Sequence, residues 1–175
     1  MKTIYVDYSK KEMRTINGKK QLMKKKDMTG GIGVVIVENG KITLAEKVMC
    51  KGINEGEKLA FLYGMKYLSN GDIICTDQNS IPLQLSMFGQ LESKSRNKIT
   101  QHLNQRINNV LSLKKGVTIQ EVGSHKGDEY HNLADRLSKI ASGVRGNSMK
   151  KLIDEQGIVM TKSKLKNSLI KLLDS

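Results

Sequence analysis

The chain has no tryptophan, one proline, two phenylalanines and two cysteines in 175 residues, and aromatic residues make up only 4% of it. Cys50 and Cys75 stand alone, without the paired spacing of a zinc site or the density of a disulfide framework. They read as reduced core thiols of a cytoplasmic protein. No run approaches the ~18 apolar residues of a membrane span, and no secretory apolar region is present, so no membrane is expected among its partners. Acid is scarce as well: 17 Asp and Glu face 30 Lys and Arg, for a net charge of +13. A surplus of that size favours a polyanionic partner, drawn in by long-range attraction and counterion release. A solubilising basic surface with no ligand is the plainer explanation of the same charge.

What remains is ordinary for a globular protein, with 38% hydrophobic and 27% charged residues in a length that suits one domain and a tail. Thr3-Ile-Tyr-Val-Asp-Tyr8 is a short apolar run broken by one acid, the pattern of a buried strand. Lys10 to Lys26 carries eight basic residues, Lys10, Lys11, Arg14, Lys19, Lys20, Lys24, Lys25 and Lys26, against the single acid Glu12. Without apolar periodicity it reads as a loop or loose hairpin, either a solvated insertion or an arm that grips phosphates. Gly30–Val37 and Lys41–Val48 flank Glu38-Asn39-Gly40, a strong hairpin signal. Gly30, Gly31 and Gly33 precede a strand rather than a helix, so they relieve crowding instead of cradling a nucleotide.

Asn54 and Glu57 form a capping-box pattern ahead of a helix over 58–68. Asp72-Ile-Ile-Cys-Thr-Asp77 is another apolar run that ends in an acid, and a helix follows whose first turn tolerates Pro82. Residues 97–113 repeat at helical spacing through Ile99, Leu103, Ile107, Val110 and Leu111. Val117–Val122 is a fifth strand, and Leu133, Leu137, Ile140 and Ala141 stripe a last helix from His131 to Ser142. Each acid has a commonplace explanation by itself. Asp7 suits a strand end, Glu57 a cap, and Asp135 a first-turn acid bridged to Lys139.

Taken together they resemble something more specific. Gly123-Ser-His-Lys-Gly127 between the fifth strand and the last helix, with Ala134-Asp135 inside that helix, resembles the last signature of type 1 ribonucleases H. Glu57-x-x-Ala-x-x-x-Gly-Met65 is similar to that family's first-helix signature. The four acids then fall in the family's order, on strand one, helix one, the end of strand four and the last helix. Three positions depart from the pattern. Tyr8 stands where the family usually has glycine, Gln78 where it has serine, and His131 where it has asparagine.

The resemblance implies an α/β ribonuclease H-like domain over residues 1–142, with a five-stranded mixed sheet, flanking helices and a basic insertion at 10–29. It implies an endonuclease that hydrolyses the RNA strand of RNA–DNA hybrids with two Mg²⁺ ions, Mn²⁺ being a possible substitute. Asp7 would bridge both ions, Glu57 and Asp77 would hold one, and Asp135 the other. His125, between glycines, would assist proton transfer and product release. Asn54 and Asn79 would lie near the ribose 2′-hydroxyls that distinguish RNA from DNA. Two alternatives stand beside this: a related nuclease on structured DNA or double-stranded RNA, and a non-cleaving binding module. The missing tryptophan, which commonly helps such enzymes hold the DNA strand, leaves the choice of substrate open. Residues 143–175 lie outside the resemblance. Leu165, Leu169, Leu172 and Leu173 predict a basic amphipathic helix over 161–173, suited to docking, self-association, a protein partner or nucleic acid.

Overall fold

The structure is a computed structural model that describes residues 1–92, 97–123 and 128–144, and the backbone of 160–164. In chain order its elements are β1 (Thr3–Lys11), β2 (Met13–Ile16), β3 (Lys19–Leu22), β4 (Thr29–Glu38), β5 (Lys41–Lys51), α1 (Gly56–Met65), β6 (Ile73–Thr76), α2 (Ser80–Phe88), α3 (Lys98–Ser112), β7 (Thr118–Glu121), α4 (Glu129–Ser142) and β8 (Met160–Lys164).

The main sheet runs β7-β6-β1-β4-β5-β8. β1, β4 and β5 are joined antiparallel, and Asn39 and Gly40 turn the β4–β5 hairpin with positive φ. β6 and β7 add in parallel beyond β1. These five strands and their helices are the mixed sheet that the sequence predicts. A sixth strand corrects the reading of the tail. Residues 161–164 are extended rather than helical and pair in parallel with β5. The physical reason is the open edge of β5, whose unpaired backbone groups gain partners from the short Met-Thr-Lys-Ser-Lys stretch. The remaining positions of the expected helix, Leu165 to Leu173, lie outside the described residues.

Helices cover both faces. On one side Ile4 and Val6 of β1 meet Leu59, Phe61 and Met65 of α1, with Leu103 and Ile107 of α3 behind them. On the other, Val35 and Val37 of β4 meet Leu133, Ala134 and Leu137 of α4. The period-two alternation of a strand therefore sends Val6 to one core and Asp7 toward α4.

Two glycines set how closely α4 approaches. A Cβ at Gly33 would fall within 2 Å of the Ala134 carbonyl oxygen, and one at Gly31 would crowd Ser138 and Ser142. The expectation that these glycines relieve crowding is met here. Thr29 Oγ1 donates to the Ser142 carbonyl at 2.6 Å and ties the end of α4 to β4.

The basic insertion is more ordered than a loop. β2 and β3 form a two-stranded ribbon, paired Met13 with Leu22 through Ile16 with Lys19, around positive-φ Asn17 and Gly18. At its root Met23 N donates to the Glu12 carbonyl at 2.7 Å. Every residue of both strands is exposed.

Candidate metal centre

Asp7 is the middle of the site. It sits in β1 beside β6 and opposite Gly33 of β4, and it is only 3% exposed. Ser138 Oγ of α4 donates to Asp7 Oδ2 at 3.2 Å. The missing side chain at Gly33 is what lets α4 lie close enough for that contact.

Glu57 enters from the first turn of α1. The expected capping box does not form, because α1 starts at Gly56 with Glu55 in the cap position and no side-chain cap bond. Asn54 Oδ1 instead accepts from Lys10 Nζ at 3.0 Å. The start of α1 is fixed by Tyr8, whose ring fills the space that a Cβ at Gly56 would need. Its hydroxyl accepts from Ile53 N at 2.9 Å. Tyr8, a departure from the family pattern, is thus matched by a glycine on the facing helix. Freed from capping, Glu57 carries a buried Oε2 with no hydrogen-bond partner among the described residues.

Asp77 follows the last residue of β6, with its side chain one-quarter exposed. Asp135 lies on α4, where Lys139 Nζ approaches its Oδ2 to 2.8 Å, the bridge expected four residues along a helix.

Crowding of like charges shows in the protonation of the cluster. Burial, then the charge of Asp77, then contact with Asp135 push the Asp7 carboxyl up to about 8. Burial and the charges of Asp7 and Asp77 push Glu57 up to about 9. The Asp135 side chain adds to the rise at Asp7, and the Asp77 side chain to that at Glu57. Without a cation, the pocket settles its repulsion by holding protons. All four predicted acids therefore meet in one place.

One member was not predicted. His131, in the first turn of α4, is 3% exposed, and its Nε2 lies 3.9 Å from Asp77 Oδ2. Donor atoms of Asp7, Asp77 and His131 all lie within 4.8 Å of one another, a spacing able to surround a metal ion. The signal available in the sequence was Asp128. It caps α4 by accepting from Tyr130 N and His131 N, which starts the helix two residues earlier than the apolar stripe suggests.

The other predicted residues fall as follows. Asn54 and Asn79 are exposed, at the N-terminal ends of α1 and α2. The eight basic residues lie on the end of β1, the ribbon and the single helical turn Lys25–Asp27. Lys10 is also engaged by Glu12 at 2.7 Å. His125 lies outside the described residues.

No family profile and no curated protein matches the sequence. Solved structures do match in shape. The ribonuclease H domain of prototype foamy virus aligns with a TM-score of 0.58 at 19% identity, over 82% of this chain and 94% of that domain. Ribonuclease H1 from the archaeon Halobacterium salinarum NRC-1 aligns at 0.60 and 14% identity, over 82% and 98%. The foamy viral protease–reverse transcriptase bound to an RNA/DNA hybrid aligns at 0.64 and 16% identity over 82% of this chain, which spans 20% of that longer one. Among the described residues no helix is long and apolar enough to cross a membrane. With this sheet order, its acidic pocket between β1, β6 and α4, and these neighbours, the chain is ribonuclease H-like in fold.

Proposed function

We propose that the protein is a metal-dependent nuclease that hydrolyses the RNA strand of RNA–DNA hybrids. The convergence of Asp7, Glu57, Asp77 and Asp135 carries the reading. A binding module has no use for four carboxylates that repel one another, and burying them costs stability unless a cation offsets the charge. The pocket fits such a cation on three counts: the orphaned Glu57 Oε2, the upward-shifted Asp7 and Glu57, and donor atoms at ligand spacing. Oxygen donors of this kind suit Mg²⁺ or Mn²⁺. Asp7, whose charge and side chain act on the other acids, would be shared between two such ions, Glu57 and Asp77 would hold one, and Asp135 the other. When bound, paired divalent ions activate the attacking water and offset charge on the leaving oxygen.

The chain's own residues do the rest. Asp7 is held in orientation by the Ser138 hydroxyl and by its antiparallel pairing with Gly33 of β4, so little reorganisation is needed when substrate arrives. Lys139 neutralises part of Asp135 and must yield that oxygen to a ligand. Asn54 and Asn79, exposed at two helix starts, are assigned to the sugar edge of the RNA strand. His125 is assigned to proton transfer at the leaving oxygen.

The basic ribbon supplies the grip. β1 continues four residues past Asp7 before the ribbon begins, which places the ribbon's root ~13 Å further along the strand. From there Arg14, Lys19 and Lys20 project from the exposed β2–β3 hairpin, and Lys24, Lys25 and Lys26 belong to the segment returning to β4. Phosphates beside the cleaved bond are the matching ligand, being the one feature that every duplex presents at that range.

The test is a labelled RNA–DNA hybrid incubated with the protein in Mg²⁺, in Mn²⁺ and in EDTA, beside duplex RNA and duplex DNA. Metal-dependent cuts confined to the RNA of the hybrid support the reading. Cuts in duplex RNA or DNA instead assign a different substrate, and tight binding without cutting in either metal makes the protein a binding module.

A further inference from the structure

His131 occupies a position that ordinary packing does not explain. It is buried to 3% exposure in the first turn of α4, with α4's backbone already capped by Asp128. A core histidine kept for packing normally has both ring nitrogens hydrogen-bonded, because an unsatisfied buried polar atom costs on the order of 1–3 kcal/mol. Here Nδ1 has no partner among the described residues. Nε2 is 3.9 Å from Asp77 Oδ2, too far for a hydrogen bond. The ring is thus not satisfied as a core polar group, and its one ionic neighbour, Asp77, stands beyond hydrogen-bond range. It does lie with Asp7 and Asp77 in a set of three donors, all within 4.8 Å. A cation drawn between them would bond the imidazole and both carboxylates at once.

We propose that His131 is a further protein ligand, beside the carboxylates, to the cation held by Asp7 and Asp77, and that it tilts this position toward Mn²⁺ or another divalent transition ion and away from Mg²⁺. The proposal rests on reading the pocket as a cation site. Its chemistry follows from the donor set. Mg²⁺ favours oxygen ligands and retains several waters, so exchanging a water for a nitrogen donor gains it little. Imidazole binds first-row transition ions progressively better from Mn²⁺ upward. Carboxylates with an imidazole therefore form a mixed oxygen and nitrogen site, whereas the four acids alone would offer only oxygen. Burial adds to the effect, since water competes poorly for a ligand position that is 3% exposed.

The experiment is pulsed electron paramagnetic resonance of the full chain loaded with Mn²⁺ and labelled with ¹⁵N-histidine, alongside calorimetric titration with Mn²⁺ and Mg²⁺. The expected spectrum carries the hyperfine coupling of a directly bonded imidazole nitrogen, and His131→Asn removes it. The same variant lowers Mn²⁺ affinity by at least the ~10-fold that losing even an outer-shell partner costs, and leaves Mg²⁺ affinity little changed. The chain has three histidines. Should His131→Asn not fold, His102→Gln and His125→Gln identify the source, because a coupling kept in both belongs to His131. Bound Mn²⁺ without nitrogen coupling overturns the ligand assignment while leaving the acidic cation site standing. A coupling that survives His131→Asn, or vanishes in His125→Gln, overturns it equally. Failure to bind Mn²⁺ at all removes the cation site and this proposal with it.

Discussion

The protons stored in the carboxylate cluster should be measurable as stability. Asp7 moves from an ordinary 3.8 to about 8 in the folded protein without cations. Between those values the native state holds a proton that the unfolded chain has released, so stability falls as pH rises, and the full penalty stands above the folded value. From 3.8 to neutral pH is a little over three pH units at ~1.4 kcal/mol each, on the order of 4 kcal/mol. Asp7→Asn removes that penalty while keeping an oxygen to accept from Ser138. It also lowers the charge that helps to raise Glu57. Groups that Asp7 does not influence cancel when the variant is compared with wild type across pH, and the relief at Glu57 adds to the difference in the same direction. Urea unfolding in EDTA should therefore give two nearly equal stabilities near pH 4, and an advantage for Asp7→Asn that grows to several kcal/mol near pH 8. At ~2–4 °C per kcal/mol for a chain of this size, the melting temperature near pH 8 should rise by about 10 °C. Saturating Mn²⁺ or Mg²⁺ should narrow the gap, because it stabilises the wild type more. A difference that does not change with pH, or a wild type more stable than Asp7→Asn at pH 8 in EDTA, would refute the crowded-carboxylate account.

Three further outcomes are expected. Replacing Lys19, Lys20, Lys24 and Lys25 by Gln should flatten the slope of log K for hybrid binding against log salt by up to ~3–4, at ~0.9 per phosphate contact, with turnover at saturating substrate little changed. An unaltered slope would make the ribbon a bystander. Gly33→Ala should cost ~1–3 kcal/mol in urea unfolding and reduce cleavage sharply, because its Cβ pushes α4 away from β4 and carries Asp135 with it. Wild-type stability in that variant would mean that α4 does not depend on the close approach. Ending the chain after Val144 removes β8 and bares the edge of β5, so light scattering should report more aggregation, while the four acids remain and metal-dependent cleavage persists. Loss of cleavage in a truncated chain that still folds would give the tail a part in the site.

The fold and the four acids were legible because each rests on a local pattern with a wide margin. Alternating or continuous apolar runs set β1, β4, β5 and β6, and Asn39-Gly40 set the hairpin between two of them. The acids stood out as interruptions of those runs or at the mouths of helices. What escaped depended on contacts between distant parts of the chain. Asn54 and Glu57 match a capping box letter for letter. Yet Tyr8, some fifty residues earlier, fixes the helix start at Gly56 and Lys10 engages Asn54. His131 stands in the sequence only as the first residue of the expected helix and a departure from asparagine, but the Asp128 cap begins α4 earlier and the ring lies near Asp77. The first residues of the expected tail helix, 161–164, differ for the same reason. Leucine spacing predicts a helix, whereas the free edge of β5, invisible in the local sequence, takes 160–164 as a strand. The ribbon fell between the two. Asn17-Gly18 is a turn signal, but charge along both flanks masked the alternation of its short strands.

If Asp7 gathers the cation on which cleavage depends, replacing that one carboxylate should separate cutting from binding. Wild type and Asp7→Asn are assayed side by side for cutting of a labelled RNA–DNA hybrid in Mg²⁺ and in Mn²⁺, with hybrid affinity measured in the same buffers. Wild type should cut the RNA strand, and Asp7→Asn should lose nearly all cutting. The variant should still bind the hybrid as well or better, since a negative charge has left a surface that meets phosphates. Cleavage by Asp7→Asn at the wild-type rate would contradict that role for Asp7.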